Sequence, residues 1–119
     1  METITIEINK LLIHARHGVM DQERIVGNDF RVSARLVYPA GEAIESDKLD
    51  GTLNYADACD EIRKVMATPS ALLEHVCGRL RTNLTTRFPL IINGSVKVEK
   101  LNPPIPGTQM ESVAVELSW

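Results

Sequence analysis

At 119 residues, with 44% hydrophobic and 24% charged side chains, the chain has globular rather than disordered composition and is long enough for one domain with a real core. Its net charge is −3 and its Lys and Arg are scattered, which argues against a nucleic-acid surface, where a basic face is the expected footprint. No apolar run has bilayer-spanning length, no charged-then-apolar leader follows Met1, and Cys59 and Cys77 lack metal-ligand spacing. The expectation is a cytoplasmic protein with two reduced thiols in its core.

Ile4, Ile6 and Ile8 alternate with Thr5 and Glu7, predicting a first strand that continues through Leu11 and Ile13. Residues 17–28, HGVMDQERIVGN, follow neither period and contain two glycines, so they read as a loop. Phe30, Val32, Ala34, Leu36 and Tyr38 mark a long second strand, ended by Pro39 and Gly41. The polar stretch EAIESDKLDGTLN then leads to a helix with Ala58, Ile62, Val65 and Met66 at 3.6-residue spacing and Asn54 as its N-cap. The TPS segment breaks that helix, and Ser70 is placed to cap a second one, striped by Leu73, Val76, Cys77, Leu80 and Leu84 and ended by Pro89. A third strand covers about 94–101, and a fourth carries Val113, Val115, Leu117 and Trp119 to the terminus.

The order ββααββ over a single domain, residues 1–119, predicts an α+β fold: a four-stranded antiparallel sheet with two helices on one face. Thr3, Thr5, Glu7, Arg31, Ser33, Arg35, Lys97 and Glu99 give the other face a largely polar surface. The edges of so small a sheet need cover, and a homo-oligomer that joins sheets edge to edge supplies it.

Four polar residues stand out as candidates for chemistry, each with a structural reading beside it. Glu23, in the glycine-bounded loop, is otherwise a solvated acid. Tyr55, opening the first helix, is otherwise an aromatic packed under the sheet. Glu74, in the first turn of the second helix, is otherwise favoured by the helix dipole alone. Lys100 ends the third strand and runs into NPPIPG; it is otherwise a solvated strand end. The prolines of that loop fix φ and give it one conformation, a suitable mount for a charge that must not wander. His14, His17 and His75 lack zinc spacing, and no Walker, Rossmann or GxSxG pattern is present, so no metal or nucleotide cofactor is expected.

Taken together, HARHGVMDQERIVGNDFRV, LNYADACDEI, ALLEHVCGRL and VEKLNPPIPG resemble, in order and spacing, the dihydroneopterin aldolase family of folate biosynthesis, with the match running from about residue 4 to residue 117. Asn28 departs from the glutamine that many members carry after the loop glycine. The resemblance implies the tunnelling fold, in which sheets of several subunits join into a barrel as tetramers or octamers and active sites lie between neighbouring chains. It also implies a lyase that cleaves 7,8-dihydroneopterin by a retro-aldol reaction without a cofactor, with epimerase activity at the side.

In that frame the resemblance makes Lys100, Tyr55 and Glu23 the catalytic residues, with Glu74, Leu73, Leu53 and Glu23 binding the pterin. A related epimerase branch shares LNY and a closing LSW-like strand; NPPIPG favours the aldolase. An epimerase of dihydroneopterin or its triphosphate, and a non-catalytic pterin-binding protein, remain the alternatives.

Overall fold

The computed structural model describes residues 1–119. The chain runs β1 (Thr3–Ala15), α1 (Asp21–Ile25), β2 (Asn28–Pro39), α2 (Ala43–Ser46), a 3₁₀ turn (Leu49–Gly51), α3 (Tyr55–Met66), α4 (Leu73–Arg87), β3 (Asn93–Leu101) and β4 (Ser112–Ser118). The four strands form one antiparallel sheet in the order β1-β2-β3-β4, so the predicted ββααββ architecture holds. The 17–28 segment differs from expectation: five of its residues wind into α1, closed by Val26 N–H to the Gln22 carbonyl (2.9 Å) and Gly27 N–H to that of Glu23 (3.0 Å).

Period-two alternation sorts the sheet into two faces. Phe30, Val32, Ala34, Leu36 and Tyr38 of β2 and Val96 and Val98 of β3 enter one core with Ala58, Ile62, Val65 and Met66 of α3 and Val76, Cys77, Leu80 and Leu84 of α4. Arg31, Ser33, Arg35, Lys97 and Glu99 occupy the opposite face, where Arg31 and Glu99 form an ion pair and Glu99 accepts from Arg31 Nη2 at 3.3 Å.

The first strand does not run evenly. Its register against β2 slips between Ile8 and Leu11, with Lys10 at φ 56° and its N–H bonded to Ser33 Oγ at 3.0 Å. That bulge is what lets Ile4, Ile6 and Ile8 share the core face with Leu11, Ile13 and Ala15, two sets of opposite parity. Asn54 caps α3 as expected, its Oδ1 accepting from Ala56 N–H at 2.9 Å. Ser70 does not cap α4, whose N-cap is Leu72. Cys77 is in the core, but Cys59 is only half-buried. No helix is long and apolar enough to cross a membrane.

The radius of gyration is 15.8 Å, against about 13.5 Å for a compact domain of this length. The helices cover one face of the sheet and leave the other, together with the outer edges of β1 and β4, uncovered by the chain itself.

Candidate active site

In β3, Lys100 follows Val96 and Val98 in phase and pairs with Phe30 across the ladder, so its side chain enters the helix side of the sheet. There α1 carries Glu23 over the strand end: Lys100 Nζ donates to Glu23 Oε1 at 2.7 Å, and Met20 N–H donates to Oε2 at 3.2 Å. The two side chains are 12% and 11% exposed, which removes the solvated readings of both. The ammonium also stands 5.9 Å from the centroid of the Phe30 ring. Burial pushes the Glu23 carboxyl up, but the hydrogen bonds from Lys100 and Met20 and the charges of Lys100 and Arg24 outweigh it, holding the group below its usual range.

The local backbone is shaped around that pair. A Cβ at Gly18 would collide with the Glu23 carboxylate, so only glycine lets the chain pass there. Arg24 Nε donates to the Gly18 carbonyl at 2.9 Å and closes the turn. Asn28 Nδ2 donates to the Leu101 carbonyl at 2.6 Å, bracing the residue after Lys100. The shorter amide found in the sequence at this position thus has a definite mechanical task.

Sequence reasoning weighed His17 only as a metal ligand and passed over its actual place. It is 1% exposed, edge-on to Phe30 with centroids 5.3 Å apart, and its Nδ1 accepts from Ser70 N–H at 3.0 Å. Its pKa is lowered to about 4 by burial and by the positive charges of Arg79, Lys100 and Arg24. The HG pair of the quoted motif was the available signal. No three His, Cys, Asp or Glu side chains of the chain converge as a metal ligand set.

Glu74 is exposed in the first turn of α4 and makes no hydrogen bond or ion pair within the chain, so both carboxylate oxygens are free to receive a ligand. Leu73 beside it turns its side chain into the core at 8% exposure. Leu53 does the same at 2%, so either residue has its backbone rather than its side chain to offer. Clefts of the isolated chain divide the region: one of about 310 Å³ takes in Glu23, Asn28 and Pro104, and another of about 430 Å³ takes in Glu74 and His75.

Tyr55 is not brought to this cluster. It is 66% exposed, which rules out the packed reading, and it opens α3 three residues after Thr52, whose Oγ1 lies 2.8 Å from the Tyr38 hydroxyl. Tyr38 is eight residues along β2 from Phe30, about 26 Å at the usual rise per strand residue. Gly18 N–H donates to the Ser70 carbonyl at 3.0 Å, which ties the segment leading into α4 to the Glu23 turn, so Lys100, Glu23 and Glu74 belong to one end of the subunit and Tyr55 and Leu53 to the other.

The Glu74 carboxylate, with both oxygens free, can accept from a two-donor edge, and the half-buried ammonium of Lys100 can hold or move a proton. The FolB family model, dihydroneopterin aldolase, matches residues 6–118, and a Bacillus subtilis dihydroneopterin aldolase is 33% identical over 105 residues, 86% of this chain and 85% of that one. The chain belongs to the dihydroneopterin aldolase family. Membership makes it an enzyme of that type, a lyase of folate biosynthesis. Among further dihydroneopterin aldolases, one from Methylorubrum extorquens is 32% identical over 112 residues, covering 92% of this chain and 85% of that one. The Escherichia coli dihydroneopterin aldolase, solved in complex with neopterin, superposes with a TM-score of 0.87 at 20% identity, covering 98% of both chains. A Burkholderia dihydroneopterin aldolase bound to guanine gives 0.78 at 16% identity, covering 98% of this chain and 90% of that one. Their likeness to this chain is one of fold.

Proposed function

We propose that the site cleaves the side chain of 7,8-dihydroneopterin by a retro-aldol reaction, giving 6-hydroxymethyl-7,8-dihydropterin and glycolaldehyde. The observation that carries the reading is the half-buried Lys100–Glu23 pair standing at the same end of the subunit as the unpartnered Glu74.

Glu74 is the anchor. A pterin presents N3–H and its 2-amino group as parallel donors, and a carboxylate offers two acceptor oxygens at matching spacing. Neopterin and guanine, the ligands of the two structural neighbours, share that edge, which supports a carboxylate anchor for it. Leu73 adds backbone contacts beside Glu74, and Leu53 adds them from the Tyr55 side.

A retro-aldol step needs an electron acceptor, and the substrate carries one in its N5=C6 bond. As the side-chain C2′ hydroxyl loses its proton, the C1′–C2′ bond breaks and its electrons enter C6=N5, leaving an enol and releasing glycolaldehyde. N5 takes up a proton in that step. Returning the proton from N5 to solvent and adding one at C1′ gives the hydroxymethyl product, with no external oxidant or cofactor required. Lys100 manages the N5 proton, directly or through one water, and its ammonium stabilises charge entering the ring. Tyr55 shuttles protons at the side chain. Glu23 holds Lys100 charged and in place and positions the side-chain hydroxyls.

Because Tyr55 lies at the far end of its own subunit, we infer that the site is completed by a second copy, with sheets joined into a barrel of four chains or two such rings. The uncovered sheet edges and the extended shape support this. Re-addition of the enol carbon C1′ to the other face of the glycolaldehyde carbonyl inverts C2′, so epimerisation of the substrate accompanies cleavage. The two free cysteines support a reducing, cytoplasmic setting. The test is incubation with 7,8-dihydroneopterin in the presence of chelator, with assay of both products. Appearance of the epimer alone would demote cleavage to second place, and no product at all would leave a pterin binder.

A further inference from the structure

His17 and Gly18 grip Ser70 by both of its backbone groups: Ser70 N–H donates to His17 Nδ1 at 3.0 Å, and Gly18 N–H donates to the Ser70 carbonyl at 3.0 Å. An imidazole nitrogen thus stands where a strand partner would offer a carbonyl. On one side of this joint lies the turn that seats the Glu23 carboxylate against Gly18. On the other side, four residues before Glu74, the Ser70 hydroxyl accepts from Arg79 Nη1 at 2.8 Å and meets His75 Nδ1 at 2.8 Å. Arg79 also binds the Val65 and Thr68 carbonyls at 2.7 and 3.0 Å, tying the end of α3 to the same point. The joint is the hydrogen-bonded link between the proton-transfer pair and the start of the helix that carries the pterin anchor.

We propose that His17 is a positioning residue for the cleavage reaction: as a neutral imidazole protonated on Nε2, it holds the Glu23–Lys100 pair at a fixed offset from Glu74 through Ser70. The proposal rests on the reading of Glu23, Lys100 and Glu74 given above.

The tautomer follows from geometry, since Nδ1 accepts a backbone N–H and the one remaining ring proton must be on Nε2. That Nε2 is buried and has no partner in the chain. An apolar ring would fill this place beside Phe30 without leaving a donor unpaired, so what the imidazole supplies is the acceptor on its other nitrogen. Protonation would place a hydrogen on Nδ1 facing the Ser70 N–H and break the joint. The charges that bear on the ring, Arg79 from α4, Lys100 from β3 and Arg24 from α1, are all positive and oppose that protonation.

The test compares His17→Phe, which keeps a buried ring and removes the acceptor, with His17→Asn, whose amide oxygen can occupy the Nδ1 position. Turnover of 7,8-dihydroneopterin, neopterin affinity and thermal melting are measured on each. The expected result is a loss of kcat of about 10- to 100-fold in His17→Phe with neopterin affinity within about 3-fold, and substantial recovery of kcat in His17→Asn. Unchanged kcat in His17→Phe, or equal losses in both variants that track their melting temperatures, would overturn the proposal. Nitrogen NMR of the imidazole in the wild-type chain decides even if neither variant folds: at pH 7 Nδ1 should be bare, and an Nδ1–H tautomer or an imidazolium would refute the joint. Wild-type turnover is measured first, so that absence of product there counts against the reaction while the tautomer still decides the joint.

Discussion

Tyr55 and Lys100, the two groups proposed to move protons, stand at opposite ends of the subunit: Lys100 pairs with Phe30, while Tyr55 opens α3 beside the Tyr38 end of β2, about 26 Å along that strand. Neither side chain spans such a gap, so a site that uses both draws them from two chains. Homo-oligomers of Tyr55→Phe alone and of Lys100→Ala alone should each be nearly inactive. Mixed, unfolded and reassembled together, they should regain activity, because about one site in four then pairs an intact lysine with an intact tyrosine. Failure to recover any activity from a demonstrably mixed oligomer would place both groups in one chain's site or remove one of them from it.

The same division explains what was legible beforehand. Alternation along β2 and the 3.6-residue stripes of α3 and α4 named the core residues correctly, because burial on one face leaves a periodic trace. The β1 bulge was not visible, since Ile8 and Leu11 both suit a strand and only the slip in register shows that they share a face. Glu23 and Lys100 could be singled out as residue types. Their pairing across 77 positions could not be read from local pattern, because it depends on α1 folding back over the end of β3. Ser70 reads locally as a cap and Asn28 as the residue after the loop glycine, whereas their bonds reach 53 and 73 residues along the chain. Short-range signals are silent about such contacts.

Lys100 and Glu74 should separate cleanly in kinetics. Lys100→Ala removes proton management and should lower kcat by about 10²- to 10⁴-fold while neopterin affinity changes little. Glu74→Ala removes a two-point, charge-assisted contact and should weaken neopterin binding by about 100-fold or more. Calorimetric titration beside steady-state kinetics reads both. Normal neopterin affinity in Glu74→Ala would strip it of the anchor role.

Acid should destabilise the fold through two groups that act in the same direction. Glu23, with its carboxyl held below the usual range, stabilises the folded state above the unfolded carboxyl pKa, and that contribution is lost as pH falls through the lower folded value. For His17, the unfolded imidazole takes up its proton near pH 6.5 while the folded one resists until about 4. Each step down through that window favours the unfolded chain, by at most about 3 kcal/mol in total. Melting temperature should therefore fall between pH 6.5 and 4.5 in the wild type, and less steeply in His17→Phe. Parallel curves would mean that His17 titrates alike in both states.

Asn28 provides the last test, because its link to the reaction runs through the backbone. Its amide holds the Leu101 carbonyl at 2.6 Å while its Oδ1 accepts from Asp29 N–H at 2.8 Å, so the end of β3 is fixed to the start of β2 directly beside Lys100. Asn28→Ala frees that carbonyl and should cost about 1 kcal/mol of stability. If the bond also sets where Lys100 presents its ammonium, kcat should drop by about 3- to 30-fold with KM nearly unchanged, since small displacements of a proton-transfer group are expensive in rate. A loss of stability with kcat intact would show that Lys100 keeps its place through Glu23 without the Asn28 brace.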